Sequence, residues 1–372
     1  MMLSIVEREL DEVSHCRQEW NALLARSDAD PLFLSYDWIH SWWKTYGSVN
    51  GRRSRVFIAL DAEGRWVGLV PFYTERIKYK NIIPSTILTM IGSTYRSVPA
   101  VVSEYPEIVV RSGPNEEEIY SAMVSHVFDD ENWDEIYLSR SVSACRTLRA
   151  FSQIARRYPS IYFQKLKNLV SYQALTHCNL QQFKDSIGRH GTKKLFENIF
   201  KLRNIDRSTR IELEELTLDD ALSYLDSFQF ERFGEAALTS PGKEFLNDLN
   251  SMNTSALRMC ISGMKRDGVV IAVSLDIESG DRRYNLQSGF SSEFSSSTGL
   301  GFLLVGLLIE HCINADILVY DLLEGGGRSN SNYKSQLTNL QTPLETVRIC
   351  RSSLIRLLRS LRLLRSQLDP PR

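Results

Sequence analysis

Two stretches of this chain, RVFIALDAEGRWVGLVPFY (Arg55–Tyr73) and LRMCISGMKRDGVVIAVSLDI (Leu257–Ile277), follow one plan. Each reads as an apolar strand, a turn holding an acidic residue and Gly, then a strand of small apolar residues. The order of helices and strands around them matches as well. A unit that recurs constrains the fold more than any other feature here, because it implies two α/β lobes of similar plan. One large α/β domain with two unrelated hairpins is the alternative. A length of 372 residues suits two or three units of about 150 each.

The rest of the chain fills in the plan. The first 50 residues read as helical: Val13, Cys16, Trp20, Leu23 and Leu24 keep a three-four spacing, and after Asp30-Pro31 so do Phe33, Trp38, Trp42 and Tyr46. Ser35 stands where an N-cap belongs. Thr86–Ile91, Glu107–Val110 and Trp133–Ser139 are strand candidates, and Glu116–Phe128 is a helix. The first lobe closes near residue 170. In the second, Gly191–Arg203 reads as a basic helix and Leu218–Phe233 as another. A strand at Tyr284–Ser288, a helix at Phe302–Cys312 and a strand at Ala315–Leu323 complete it.

Charge and composition narrow the function. The chain has 44 Lys+Arg and 45 Asp+Glu, a net of −1, without the cationic excess a dedicated nucleic-acid binder needs. Apolar residues at 43% and charged residues at 24% exclude wholesale disorder. Glu7, Glu9, Asp11 and Glu12 replace the basic start and apolar run of a secretory signal, so a cytoplasmic location is expected. The most apolar window, Leu300–Ile309, is half the length of about 20 residues that a membrane span needs. Six cysteines and six histidines are scattered with no CxxC, HExxH or HxxxD spacing, which predicts reduced thiols and no metal.

The stretch with chemistry in it is Tyr284–Leu337. A strand and a Ser-rich loop lead to Gly299-x-Gly301 at the opening of an apolar helix. Glycines there leave the first amides of the helix uncovered, and these amides with the helix dipole form an anion cradle. A tight turn before a buried helix is the alternative reading. After the helix come a strand ending in Asp321, a loop Gly325–Asn332, and Tyr333-Lys334.

This order of strand, Ser/Gly loop, helix, strand, Asp-x-x-x-Gly and later Tyr-Lys resembles the GNAT acyltransferase superfamily. More narrowly it is similar to the branch of acetyltransferases of bacterial cellulose and exopolysaccharide biosynthesis (CelD-like), relatives of the FemAB peptidyltransferases. FLSYDWIHSWW (Phe33–Trp43), Arg55–Tyr73, SSSTGLG (Ser295–Gly301) and VYDLLEGGG…YK (Val319–Lys334) carry the likeness. Ser296-x-x-Gly299-x-Gly301 matches the glycines of the family's pyrophosphate loop but not its Gln/Arg first residue. The closing motif has about four extra Gly/Ser/Asn residues, and Leu337 stands near an aromatic's place.

The resemblance implies an α/β (α+β) fold of two tandem GNAT-like lobes, each a central mixed sheet flanked by helices. The N-terminal lobe, 1–170, would be degenerate and the C-terminal lobe, 171–345, would be the acyltransferase. It implies acetyl-CoA or another acyl-CoA as co-substrate, held by Gln287, Ser288, Ser296, Thr298, Gly299, Leu300 and Gly301. The acceptor would be a small molecule or saccharide of polysaccharide or envelope biosynthesis, acylated on N or O. The alternatives are an aminoacyl-tRNA-dependent FemAB-type peptidyltransferase, in which case tRNA is a partner, and a non-catalytic GNAT-fold scaffold.

Acyl transfer from a thioester needs a base, donors for the oxyanion and an acid for the thiolate. Asp321 is the leading carboxylate for base or acceptor orientation, or else the cap of the turn after it. Glu231 and Arg232, in FQFERFGE, end a helix that lines the acceptor cleft in the family, or form a solvated face. Tyr333 is the candidate acid for the thiolate, or a packing residue. Lys334 is a candidate for holding a phosphate or acceptor carboxylate, or a surface lysine. Lys193, Lys194, Lys201 and Arg203 face a tRNA or phosphorylated donor, or solvent. His177-Cys178 makes no nucleophile–base pair, because adjacent side chains of an extended segment point to opposite faces. Trp38, Trp42 and Trp43 at helical spacing are core residues rather than a sugar platform.

The tail, 346–372, reads as a basic amphipathic helix. Leu354, Leu357, Leu358, Leu361, Leu364 and Leu368 form one stripe, and seven arginines from Arg348 to Arg372 face two acids, Glu345 and Asp369. It would lie on an anionic membrane surface, peripheral to an inner membrane, or grip a protein partner through 348–368, or dock on the body of the protein.

Overall fold

The first hairpin forms where its turn residues are. Asp61 Oδ1 accepts the amides of Glu63 and Arg65 at 3.2 and 2.9 Å, and Gly64 takes φ 77°, a left-handed value that costs glycine nothing. The computed structural model describes residues 2–47, 51–79, 82–95, 101–197, 211–252, 254, 256–293, 299–325 and 333–351. The chain forms two compact units, Met1–Asn168 together with the chain from Leu344, and Leu169–Pro343.

The first unit starts with strand β1 (Ser4–Arg8), a correction to the helical reading of the first residues. Its Ile5 and Val6 are drawn into pairing with Ala59 and Ile58. Helices α1 (Arg17–Leu24) and α2 (Tyr36–Tyr46) follow, and Ser35 caps α2 by accepting from the Trp38 amide at 3.2 Å. Trp38 and Trp42 are fully buried, and each indole N–H has an acceptor 2.8 Å away, Ser103 Oγ and the Val101 carbonyl. Next come β2 (Arg52–Leu60), β3 (Trp66–Tyr79), β4 (Ile83–Met90) and the short β5 (Val109–Val110). Helix α3 (Glu116–Asp129), β6 (Glu135–Val142) and α4 (Arg146–Ala155) complete the run. Phe57, Phe72, Met123, Val127, Phe128 and Phe151 meet in the core between the sheet and α3 and α4.

Strand β7 (Tyr162–Leu175) leads to α5 (Leu180–Thr192), which kinks at Gly188 and ends in one π-helical turn, Lys193–Glu197. The basic helix expected over Gly191–Arg203 is therefore this turn as far as residue 197. Lys201 and Arg203 lie outside the described residues. The second unit continues with β8 (Ile211–Glu215), α6 (Leu218–Phe233) and α7 (Ser240–Met252). Then follow β9 (Arg258–Arg266), β10 (Val269–Ser279), β11 (Arg282–Phe290), α8 (Leu300–Asn314) and β12 (Val319–Glu324). Thr217 caps α6 and Gly234 ends it in the left-handed conformation. Helix α8 is the apolar window of the sequence. Its Leu300, Leu303, Leu304, Leu308, Ile309 and Cys312 pack on Ala272, Tyr320 and Leu322, so the run serves a core. A side chain at Gly306 would come within 2.2 Å of the Leu195 carbonyl, so glycine lets the π turn lie directly on α8. Among the described residues no helix is long and apolar enough to cross a membrane.

The last strand, β13 (Leu340–Cys350), begins in the second unit, and from Leu344 to Cys350 it pairs with β6 of the first. This corrects the tail: 346–350 is strand, because Thr346, Val347 and Ile349 are β-branched and the leucine stripe begins only at Leu354. Residues 352–372, and with them most of the expected helix, lie outside the described residues.

The repeat is plain in the pairing. The first sheet runs β1-β2-β3-β4-β6-β13 and the second β8-β9-β10-β11-β12-β7. In each, the fourth and fifth strands are joined by a crossover helix and pair in parallel over three residues. Ile87, Leu88 and Thr89 of β4 face Glu135, Ile136 and Tyr137 of β6. Arg282, Arg283 and Tyr284 of β11 face Val319, Tyr320 and Asp321 of β12. All other pairings within these two sheets are antiparallel. The sixth strand of each sheet comes from the chain segment that follows the other lobe.

The first lobe buries a titratable cluster where β6 meets β13. Glu135 has no solvent exposure, and burial pushes its carboxyl up to about 7 from 4.5, although Arg348 lies 3.1 Å away and Cys350 Sγ donates at 3.4 Å. Between these two values the folded chain holds a proton that the unfolded chain has released, so this group makes stability fall as pH rises from 4.5 to 7. The effect is on the order of 2–3 kcal/mol. Glu135→Gln is expected to flatten the dependence, and thermal melts at about pH 5 and about pH 8 measure it.

Candidate functional site

The parallel pair β11–β12 opens just past its third residue pair. Leu286 forms a bulge in β11, since Asn285 faces Asp276 while Gln287 faces Leu275. Beyond Tyr284 no strand among the described residues pairs with the free edge of β11. The two parallel strands therefore splay into a notch, and α8 starts beside it.

Gly299, with φ 63° and ψ 59°, is the N-cap of α8, and no acid stands in the first turn. The amides of Leu300 and Gly301 precede the first bond of the helix, which the Phe302 amide makes to the Gly299 carbonyl at 2.9 Å. Two aromatic rings flank these glycines. A Cβ on Gly301 would meet Phe290 at 3.1 Å, and one on Gly299 would meet Phe302 at 2.8 Å. Each ring carries a cation: the Arg232 guanidinium sits 4.5 Å from the Phe290 centroid and the Lys194 ammonium 5.1 Å from that of Phe302. Lys194 also donates to Gln336 Oε1. Glu231, next to Arg232 at the end of α6, accepts from Ser292 Oγ at 2.9 Å, just past β11. Glu231, Arg232, Gly299, Leu300 and Gly301 thus gather around one helix start, with Lys194 added from the π turn. Gln287 and Ser288 lie on the free stretch of β11, opposite Leu275 and Ser274. Ser296 and Thr298 lie outside the described residues, as does the side chain of Tyr333, whose backbone opens a short 3-10 turn.

Two expected site residues are held by protein partners. Asp321 is fully buried and its two oxygens accept from four donors: Gln173 Nε2 and Arg282 Nη2 at 3.0 Å, Ser171 Oγ at 3.3 Å and the Leu323 amide at 2.8 Å. A carboxylate so occupied orients its neighbours. Leu323 takes φ 57° in a bulge of β12. The Lys334 ammonium donates to the carbonyls on either side of it, those of Leu322 and Glu324. These bonds hold the bulge in place. Among the described residues no group of three His, Cys, Asp or Glu is placed to hold a metal.

The equivalent place in the first lobe is built differently. Segment 103–108 runs across the opening between β4 and β6. The Ser103 amide donates to Gly92 at the end of β4 (2.8 Å). The Tyr105 amide donates to Arg140 at the end of β6 (3.1 Å), and Ser141 Oγ donates to the Pro106 carbonyl (3.3 Å). Helix α3 begins with Glu116, Glu117 and Glu118, and Glu116 Oε1 accepts from the Gly113 amide at 2.6 Å. Protein backbone fills this notch, and carboxylates crowd this helix start.

Twin mixed sheets, each with one short parallel pair and a crossover helix, define a tandem GNAT-type acyltransferase fold. Residues 200–335 match the family model described as an acetyltransferase (GNAT) domain, so the second lobe belongs to the GNAT superfamily. No curated protein matches the sequence. Among solved structures the chain is similar to FemX, at 12% identity and a TM-score of 0.58, covering 88% of this chain and 95% of that one. It is also similar to a conserved protein of unknown function from Bacteroides thetaiotaomicron (13%, TM-score 0.51, covering 94% and 99%). A third likeness is to the C-terminal domain of a protein assigned as a lysylphosphatidylglycerol synthetase from Agrobacterium fabrum (9%, TM-score 0.52, covering 94% and 95%). At these identities the likeness is one of fold.

Proposed function

We propose that the second lobe transfers an acyl group from acyl-CoA to an amino or hydroxyl group of a small or saccharide acceptor. The resemblance to the exopolysaccharide branch suggests acetyl transfer in polysaccharide or envelope biosynthesis. The observation that carries this reading is the contrast between the two helix starts. That of α8 has no acid in its first turn, is flanked by Arg232 and Lys194, and opens on a notch, as a diphosphate requires. That of α3 is acidic and its notch is filled. The first lobe is then the degenerate one.

In this reading Arg232, Lys194 and the amides of α8 hold the diphosphate, and Glu231 takes the proton of the acceptor. Tyr333 is the acid for the departing thiolate, a role that rests on the sequence resemblance. The test is calorimetric titration of the full chain with acetyl-CoA, which is expected to give one site per chain. Two sites, or none, would overturn it.

The likeness to FemX favours a second reading, peptidyl transfer from an aminoacyl-tRNA. Salt-dependent tRNA binding in a chain that does not bind acetyl-CoA is the result that would select it.

A further inference from the structure

Beneath α8 the second sheet buries a chain of polar groups that the acyl-transfer reading leaves unused. Asp276, fully buried on β10, pairs with Arg283 Nε at 2.7 Å and accepts from Ser274 Oγ at 2.6 Å. Asn285 Nδ2 lies 2.8 Å from each of Asp276 Oδ1, Ser274 Oγ and Ser288 Oγ. Burying an ion pair is costly unless every member is satisfied, and a row of aliphatic residues would be the simpler core.

Through Arg283 the network continues to Glu278 and Ser262, and through Asn285 it reaches the exposed Ser288. A carboxylate can only accept, so Asp276 fixes which end of the Asn285 amide points inward. The two hydrogens of the amide nitrogen are shared among three acceptors, Ser288 Oγ among them. Ser288, receiving that bond, keeps its own hydrogen to give. Asn285 Oδ1, at 3.2 Å, is a longer and weaker acceptor for it. Ser274, directly across from Ser288 on β10, is fully buried, while Ser288 is exposed. Ser288 lies on the stretch of β11 past its pairing with β12.

From this we infer that Ser288 is a positioning residue for the thioester, donating to the acyl carbonyl oxygen in the notch, and that Asp276 acts through Asn285 to hold it in donor orientation. The inference rests on the acyl-CoA reading and adds to it a group that distinguishes an acylated donor from the free thiol. A neutral hydrogen bond of this kind corresponds to about a five- to ten-fold change in affinity.

The experiment titrates the full chain with acetyl-CoA and, separately, with CoA. Wild type is expected to bind acetyl-CoA more tightly. Ser288→Ala, at an exposed position, is expected to lose about five- to ten-fold toward acetyl-CoA and nothing toward CoA, whereas Ser288→Thr keeps the preference. Asn285→Ala is expected to reproduce the Ser288→Ala loss if folded, as judged by circular dichroism. An unchanged ratio in Ser288→Ala, or an equal loss toward both ligands, overturns the Ser288 assignment while leaving the donor reading in place. Wild-type protein that binds neither ligand overturns the donor reading, and the assignment with it.

Discussion

A chain ending at Pro343 is expected to lose the first lobe as a folded unit, although the cut falls some 200 positions after most of that lobe. From Leu344 onward β13 is the sixth strand of the first sheet. Its Leu344, Val347 and Ile349 have no exposure, and Val347 and Ile349 belong to the same core as Phe128 and Phe151. Each such aliphatic side chain contributes about 1.5–3 kcal/mol when buried, so three approach the 5–15 kcal/mol that keeps a whole domain folded. The cut also strips the edge of β6 and leaves Glu135 buried without Arg348. The control is a chain ending at Arg351, which keeps β13 whole and is expected to melt close to full length. Thermal unfolding by circular dichroism, with limited trypsin digestion to identify the surviving lobe, measures the difference. Equal melting of the 1–343 and 1–351 chains would contradict this account of the fold. A truncation meant to isolate the basic tail must likewise stop at Arg351.

The second large effect is expected from Gly301→Asp. The substitution places a carboxylate in the first turn of α8, the arrangement α3 already has with Glu116, Glu117 and Glu118. The helix itself gains, because an acid at an N-terminus is favourable by about 0.3–1 kcal/mol. An anionic ligand loses twice: the new carboxylate competes for the amides and repels the charge. Charge-assisted hydrogen bonds contribute about 1.5–3 kcal/mol each, so the loss of one or two weakens acetyl-CoA binding by roughly a hundred-fold. Gly301→Ala adds the same Cβ against Phe290, which must shift by a few tenths of an ångström, but no charge. It is expected to cost little. Calorimetric titration of both variants separates charge from bulk, and binding within about two-fold of wild type in Gly301→Asp would remove α8 from the donor site.

Local chemistry made much of this legible beforehand. Ser35 caps its helix, the Asp61 and Asp267 turns form the two hairpins, and the apolar run at Leu300 is a buried helix, because each depends on residues close in sequence. What escaped depends on distance. The partner of Cys350 is Glu135, 215 positions earlier, and although its β-branched residues favour a strand, nothing in LETVRIC marks which lobe's sheet it joins. Asp321 and Lys334 have the residue types of catalysis and phosphate binding, but their partners are a bulge and its carbonyls, which exist only once β12 has bent at Leu323. Lys194 and Arg232 reach the start of α8 through Phe302 and Phe290, contacts between elements that no spacing along the chain encodes. Closure of the first notch by 103–108 is also a tertiary fact. It supports the proposal that the first lobe is the degenerate one, for which the sequence offered only a likeness.

The central claim is that the donor's diphosphate lies at the start of α8. A crystal structure of the full chain with CoA tests it most directly. The account predicts diphosphate oxygens within hydrogen-bonding distance of the amides of Leu300 and Gly301, with the Arg232 and Lys194 side chains turned toward them. A diphosphate found instead at the start of α3, or away from both helix starts, would contradict it.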